Sequence, residues 1–214
     1  MKRILCFGDS NAWGHIPAKG TRYAYDVRWP GVAAQLLGDG YQIIEDNISG
    51  RTTVFEDPER ANRCGLKNLG YSLMAHMPVD LVIIALGSND LKFTDAEGSK
   101  AGLEKLVDTV YSADELFNPP SPVFSGEKRV LIVGPAYIAP EIETLRPEHR
   151  LAHAAAQSKL LTVNAQAVAK EKGAWYVDAS AVVYPPLDDC LHLSPESHHR
   201  LGEVMAAKIK EILG

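Results

Sequence analysis

The sequence predicts an α/β fold built on a parallel sheet. Three observations lead there. Short apolar runs alternate with helical segments along the 214-residue chain, the pattern of strands joined by crossover helices. The clearest strand, Asp80 to Leu86 (DLVIIAL), is apolar almost throughout, as expected when both faces of a sheet are covered. Glycine, serine, asparagine and aspartate cluster just after the strands, where an open parallel sheet places its ligands.

The elements follow in order. Arg3 to Phe7 is the first strand. A helix starts at Trp29-Pro30, with proline in its first turn, and Gly38-Asp39-Gly40 stops it after Leu37. Tyr41 to Glu45 (YQIIE) is the second strand. A polar stretch from Asp46 leads to a helix over 62–76. The DLVIIAL strand comes third. A helix is expected from Ala96 to Glu115, where Leu103, Leu106, Val107 and Val110 form one apolar stripe. A Pro-rich loop (NPPSPVFSGEK, 118–128) precedes the fourth strand, Arg129 to Val133, and a loop with three prolines follows it. A long Ala-rich helix is expected over Glu148 to Lys172. Ala174 to Val177 is the fifth strand, and Pro195 to Leu213 the closing helix. No repeat or interdomain linker interrupts this series, so one domain over 1–214 is expected.

Composition narrows the function classes. The formal charge is -5 and no long basic block occurs, which argues against a nucleic-acid binder. No apolar run approaches the roughly 20 residues of a membrane span. The apolar run behind Met1-Lys2-Arg3 is too short for a secretory leader. Three widely separated cysteines, Cys6, Cys64 and Cys190, suit a reducing compartment. A cytoplasmic protein is expected.

The chemistry-bearing residues fall after the strands. Gly8-Asp9-Ser10 follows the first, Asn47 to Thr53 the second, Gly87-Ser88-Asn89-Asp90 the third, and Asp188 to His192 comes a little after the fifth. These parts suit acyl transfer. A serine hydroxyl needs a base to become a nucleophile, and histidine exchanges protons near neutral pH. Asp189, three residues before His192, can hold that imidazole in one tautomer and stabilise its cation. The oxyanion of a tetrahedral intermediate needs donors already in place; the N–H groups of Ser10 and Gly50 and the amide of Asn89 can supply three. Each signal alone has a plainer reading. Ser10 and Gly50 are ordinary turn residues, Asn89 a helix cap, and Asp-x-x-His a common chance spacing. Their order, at one end of the sheet, favours catalysis.

FGDSNAWG at Phe7 to Gly14, the glycine after the second strand, GSND at 87–90 and DCLHLS at 189–194 resemble the SGNH hydrolases, or GDSL-type esterases. All four blocks occur in the family's order, and the resemblance spans the chain. The phrases RILCFGDSNAWG, DVRWPG, SGRTT and LVIIALGSND look closest to the bacterial arylesterase/acyltransferase branch. The resemblance implies a three-layer sandwich around a five-stranded parallel sheet in flavodoxin-like order. It implies Ser10 as nucleophile, His192 as base, Asp189 as its orienter, and Ser10, Gly50 and Asn89 as the oxyanion hole. No metal or organic cofactor is implied, and self-association into a homo-oligomer is. The implied activity is hydrolysis of small acetyl or aryl esters, with acyl transfer to alcohols as an extension. Carbohydrate acetyl esterase, thioesterase and lysophospholipase are alternatives on the same residues. A catalytically dead flavodoxin-like binding domain is the non-enzyme alternative. The chain departs from the family at Asn11, where the name-giving motif has leucine. That position follows the nucleophile and is expected to do no chemistry. Cys190, inside the Asp189–His192 pair, is a second oddity; if exposed, its oxidation would disturb the pair.

Other features carry less. Gly14 to Gly20 (GHIPAKG) mimics a phosphate loop, but its lysine precedes the second glycine. His149 and His153 have metal-ligand spacing on the expected helix, and His198-His199 adds two imidazoles, yet no acidic or thiol ligand stands beside the first pair at suitable spacing. Solvated helix faces are the expectation. Arg51 is expected to pair a carboxylate structurally, with an anionic substrate as the alternative. Asp9 is expected to stabilise its turn. Trp13 and Trp29 either wall a pocket or pack, and His15 either lines the pocket or sits in a plain loop.

Overall fold

In the computed structural model, which describes residues 1–214, five parallel strands form one sheet in the order β2-β1-β3-β4-β5. They are β1 (Lys2–Gly8), β2 (Tyr41–Asn47), β3 (Leu81–Ala85), β4 (Val130–Gly134) and β5 (Trp175–Asp178). The longer helices are α2 (Trp29–Leu37), α3 (Gly65–His76), α4 (Ala96–Tyr111), α7 (Ala155–Lys172) and α8 (Pro195–Leu213). Short helices are α1 (Ser10–Trp13), α5 (Ala113–Phe117) and α6 (Ile142–Leu145).

Strand alternation divides the core in two. Ile4 and Cys6 of β1, Leu81 and Ile83 of β3, and Leu131 and Val133 of β4 face α2 and α8, where Trp29, Leu201, Met205 and Ile209 meet them. Leu5 and Phe7, Val82 and Ile84, and Val130 and Ile132 face α3, α4 and α7, against Leu69, Leu73, Leu106, Val110 and Val168. The period of two in each strand sends successive side chains to opposite layers. Both faces are therefore apolar, which is why the strand sequences read as unbroken apolar runs.

The order 2-1-3-4-5 has its topological switch between β1 and β3, where successive crossovers leave in opposite directions and a crevice opens beyond the carboxyl ends. The loops after β1 and β3 border that crevice. β1 and β3 are in register from Ile4 opposite Leu81 to Gly8 opposite Ala85, so Asp9-Ser10 and Leu86 to Asn89 leave the sheet side by side.

The expected strands and the expected helices at 29–37 and 195–213 match the structure closely. The expected helix from 96 to 115 breaks at Ser112 into α4 and α5. The long Ala-rich helix begins at Ala155, not Glu148. Residues 146–154 form turns held by bonds such as His149 N–H to Arg146 O, 2.9 Å. His149 and His153 therefore do not share a helix face. The loop after β4 packs under the His192 segment: Ala139 N–H donates to Cys190 O at 2.9 Å, and Ile138 and Ile142 share an apolar cluster with Cys190 and Leu191. The 118–128 loop instead enters β4 at its amino end, away from the crevice.

Candidate active site

Ser10 opens the one-turn helix α1 directly beyond β1. Asp9 caps that turn, accepting from Asn11 N–H at 3.0 Å, and Gly14 ends it in the left-handed region at φ 88°. The turn aims the Ser10 hydroxyl into the crevice. His192 Nε2 lies 3.1 Å from Ser10 Oγ. Its Nδ1 lies 2.9 and 3.1 Å from the two oxygens of Asp189. The carboxylate Nδ1 faces has no proton to give, so Nδ1 carries the hydrogen and Nε2 is left free to accept.

Asp189 is nearly fully buried and heavily satisfied. Its oxygens accept from His192 N–H at 2.7 Å, Leu191 N–H at 3.1 Å and Ala18 N–H at 3.1 Å. Burial alone would raise its pKa, but the imidazole and these N–H donors outweigh it and hold the carboxyl well below the usual range. It stays anionic beside His192. The left-handed backbone at Cys190, φ 63°, folds Asp189 back on His192. Cys190 itself is buried, so the exposure that oxidation would need is missing.

Asn11 was expected to do no chemistry, and its bonds are structural. Its Oδ1 accepts from Leu193 N–H at 3.1 Å and its Nδ2 donates to Leu191 O at 3.3 Å. The side chain one step past Ser10 thus ties the turn to both neighbours of His192.

Neither Ser10 N–H nor Gly50 N–H has an acceptor within the protein. Asn89 Nδ2 has one long contact, 3.4 Å to Asp9. Lys92 Nζ donates to the Asn89 oxygen at 2.7 Å, which fixes the amide so that its nitrogen faces the crevice. Gly50 has φ 87°, which favours glycine, and a Cβ there would meet the Arg60 guanidinium at 2.6 Å.

Two buried polar residues hold this loop. Arg51 lies over the Phe7 ring at 3.8 Å and binds Asp46 through O at 2.5 Å and Oδ1 at 2.8 Å. This is the structural reading, and Arg51 is too buried to meet a substrate. Asp90 accepts from Thr53 N–H, Thr53 Oγ1 and Ser99 Oγ, each at 2.7 Å, joining the Gly50 loop to the Asn89 turn. No role was expected for Asp90; its place directly after Asn89 was the available signal.

A cleft of about 440 Å³ opens over these groups. His15 lines it, its ring stacked on His192 at 3.9 Å between centroids. Burial, then the nearby His192, lower its pKa to about 4, so it is neutral at pH 7. His149 lines the cleft as well, contrary to the solvated-helix expectation. His198 is fully buried against Trp29, whose N–H it accepts at 3.2 Å. Trp29 packs in the core and Trp13 stands outside this cleft. His15, Asp189 and His192 offer potential metal-ligand atoms within 4.8 Å of one another, but Asp189 and the Nδ1 of His192 are already bonded to each other.

Solved structures resemble this one along its whole length. Est24, a carbohydrate acetylesterase from Sinorhizobium meliloti, superposes with a TM-score of 0.90 at 35% identity, covering 100% of both chains. The native M. smegmatis aryl esterase gives 0.88 at 32% identity, again over 100% of each. A carbohydrate acetylesterase family member from Sinorhizobium meliloti gives 0.89 at 29% with the same coverage. No match was found among the curated proteins. The doubly wound sheet, with these neighbours, defines a carboxylic ester hydrolase of SGNH type. The chain belongs to the GDSL-like Lipase/Acylhydrolase family, whose model matches residues 6–200. No helix is long and apolar enough to cross a membrane.

Proposed function

We propose that this chain, as one hydrolase domain over 1–214, is a serine esterase for small acetyl or aryl esters that works through an acyl-enzyme. Ser10 Oγ attacks the ester carbonyl while His192 Nε2 takes its proton. Asp189 keeps the imidazole oriented and balances its charge. The oxyanion lies against Ser10 N–H, Gly50 N–H and Asn89 Nδ2. His192 then gives the proton to the departing alcohol. Water, activated by the same imidazole, releases the acid and frees Ser10. An acceptor alcohol in place of that water gives acyl transfer.

The observation that carries the reading is the unbroken chain from Asp189 through His192 to Ser10, at 2.9 and 3.1 Å. The test is hydrolysis of p-nitrophenyl esters from acetyl to decanoyl, wild type beside Ser10→Ala. Activity on the short esters that vanishes in the variant supports the reading; equal activity in the variant defeats it. A carbohydrate acetyl ester is the second reading, favoured by a cleft lined mainly by polar and charged side chains. Cytoplasmic residence and self-association belong to the same proposal. Three free cysteines suit a reducing compartment, and sedimentation of the purified chain tests assembly.

A further inference from the structure

The cleft is cationic in a chain whose net charge is -5. Lys19, Arg60, Lys92 and Arg146 all line it, and Asp189 is the one carboxylate that does. Each of three cations is fastened to a residue of the site. Arg60 Nη2 donates to Ser49 O at 3.1 Å, and its guanidinium covers the position a Cβ on Gly50 would take. Lys92 holds the Asn89 amide at 2.7 Å. Arg146 Nη1 donates to Asp189 O at 3.3 Å and stands 3.5 Å from its carboxylate.

Their charges are largely unspent. Lys19, Arg60 and Lys92 make no ion pair, whereas the nearby acids Asp57 and Glu59 are both taken by Arg150 at 3.0 Å. Asp189, the one acid Arg146 pairs with, already serves His192. Burial and His192 lower the His15 pKa and Asp189 opposes them, with Arg60 and Arg146 pushing it further down. Burial lowers Lys92 to about 8, with Arg60 and Arg150 pushing the same way and Asp57 and Asp9 opposing. Gathering like charges in a half-enclosed cleft is unfavourable for the free protein. An arriving anion relieves that repulsion, and a cleft of one sign focuses its field on such a ligand.

We infer that the preferred substrate is a small ester bearing a carboxylate or phosphate within a few bonds of the scissile carbonyl, held by the cations that line the cleft, Lys92, Arg60, Arg146 and Lys19. The inference rests on the esterase reading and names its substrate class. An aryl or alkyl ester without charge reaches the same Ser10 but leaves the cations unmatched. Arginine offers planar paired donors to either anion, and lysine a point charge, so the shared chemistry is an oxyanion.

The test uses matched pairs of acetyl esters on the whole protein. One pair is O-acetylated glucuronate and its uncharged glucuronamide. The other is acetylglycerol phosphate and acetylglycerol. The expected result is a kcat/KM at least about tenfold higher for the charged member, equal to about 1.4 kcal/mol of transition-state binding. That advantage shrinks when salt is raised from roughly 0.02 M to 0.5 M, because the Debye length contracts. In Arg60→Gln the charged-to-neutral ratio falls severalfold. Preference for the glucuronate alone assigns a carboxylate, and preference for the phosphate alone assigns a phosphate. Ratios at or below one in both pairs, with p-nitrophenyl acetate still turned over through Ser10, overturn the inference and leave the esterase standing. No turnover of any ester, by a folded protein, overturns both.

Discussion

Asn11 brackets His192. Its amide bonds Leu193 N–H at 3.1 Å and Leu191 O at 3.3 Å, the two peptide groups on either side of the imidazole-bearing residue. Ser10 and His192 are 182 positions apart in the chain, and the 3.1 Å between them must be set by contacts of this kind. Asn11→Leu, which installs the residue of the name-giving motif, removes both bonds and leaves Leu193 N–H without an acceptor. At about 1 kcal/mol for each bond, the His192 segment loosens. The expected outcome is a drop in kcat of about tenfold with little change in KM, since a misplaced base weakens the transition state more than binding. Steady-state kinetics on p-nitrophenyl acetate decide it, and an unchanged kcat removes Asn11 from the positioning of His192.

Ser10→Ala leaves His192 without its partner and is expected to lower kcat by at least about 10³, as when one member of a unit that acts together is lost. An organophosphonate should add its mass to Ser10 in the wild type and to nothing in the variant. Intact-protein mass spectrometry after incubation reads this directly. Labelling at another residue would refute the assignment of the nucleophile.

Asn89→Ala removes one side-chain donor and leaves the two backbone N–H groups. A loss of about 10² to 10³ in kcat is expected, the usual worth of one oxyanion donor. A change confined to KM would mean that the amide binds the ground state only.

Asp90 tests the scaffold under the site. Three buried donors converge on its carboxylate at 2.7 Å. Asp90→Ala strands all three, at about 1–3 kcal/mol each, with Thr53 Oγ1 and Ser99 Oγ able to rotate toward other acceptors. A loss of roughly 3 kcal/mol is expected in urea unfolding. An unchanged midpoint would show that the Gly50 loop is held without it.

The sequence made the fold legible because each strand is buried on both faces and reads as an apolar run. That Ser10, Gly50, Asn89, Asp189 and His192 meet in one cleft was legible because the motifs lie just past strand ends, where topology brings them together. The roles of Asn11, Asp90 and Arg60 were not. Asn11 acts through Leu191 and Leu193, 180 and 182 positions away, and Asp90 through Thr53 and Ser99. Arg60 is ten residues past Gly50 in a polar stretch without periodicity, so nothing in its spacing says that its guanidinium returns to that glycine. His149 was misjudged because the apparent Ala-rich helix was extended seven residues too far toward the amino terminus. Turns at 146–154 turn its ring into the cleft instead.

His198 gives a prediction about stability. It is fully buried on α8, accepts the Trp29 N–H through Nδ1, and its Nε2 has no partner. Burial, with His192 and Arg28 adding repulsion, lowers its pKa to about 3, against about 6.5 in an unfolded chain. Between those values the unfolded state binds the extra proton and the folded state does not. Stability is therefore complete above about pH 6.5 and is lost as pH falls toward 3, by about 1.4 kcal/mol per pH unit. Asp9 and Asp90, each raised to about 6 by burial, act in the opposite sense: over roughly pH 3.9 to 6 the folded state holds their protons more tightly. The difference between proteins isolates His198. In His198→Gln the amide oxygen can still accept from Trp29, and no titrating ring remains. The wild type should lose roughly 2–3 kcal/mol relative to this variant between pH 7 and pH 4.5, read from urea unfolding midpoints at several pH values. A gap that stays constant across that range would mean that the ring is protonated in the folded protein, or that α8 opens to let it charge.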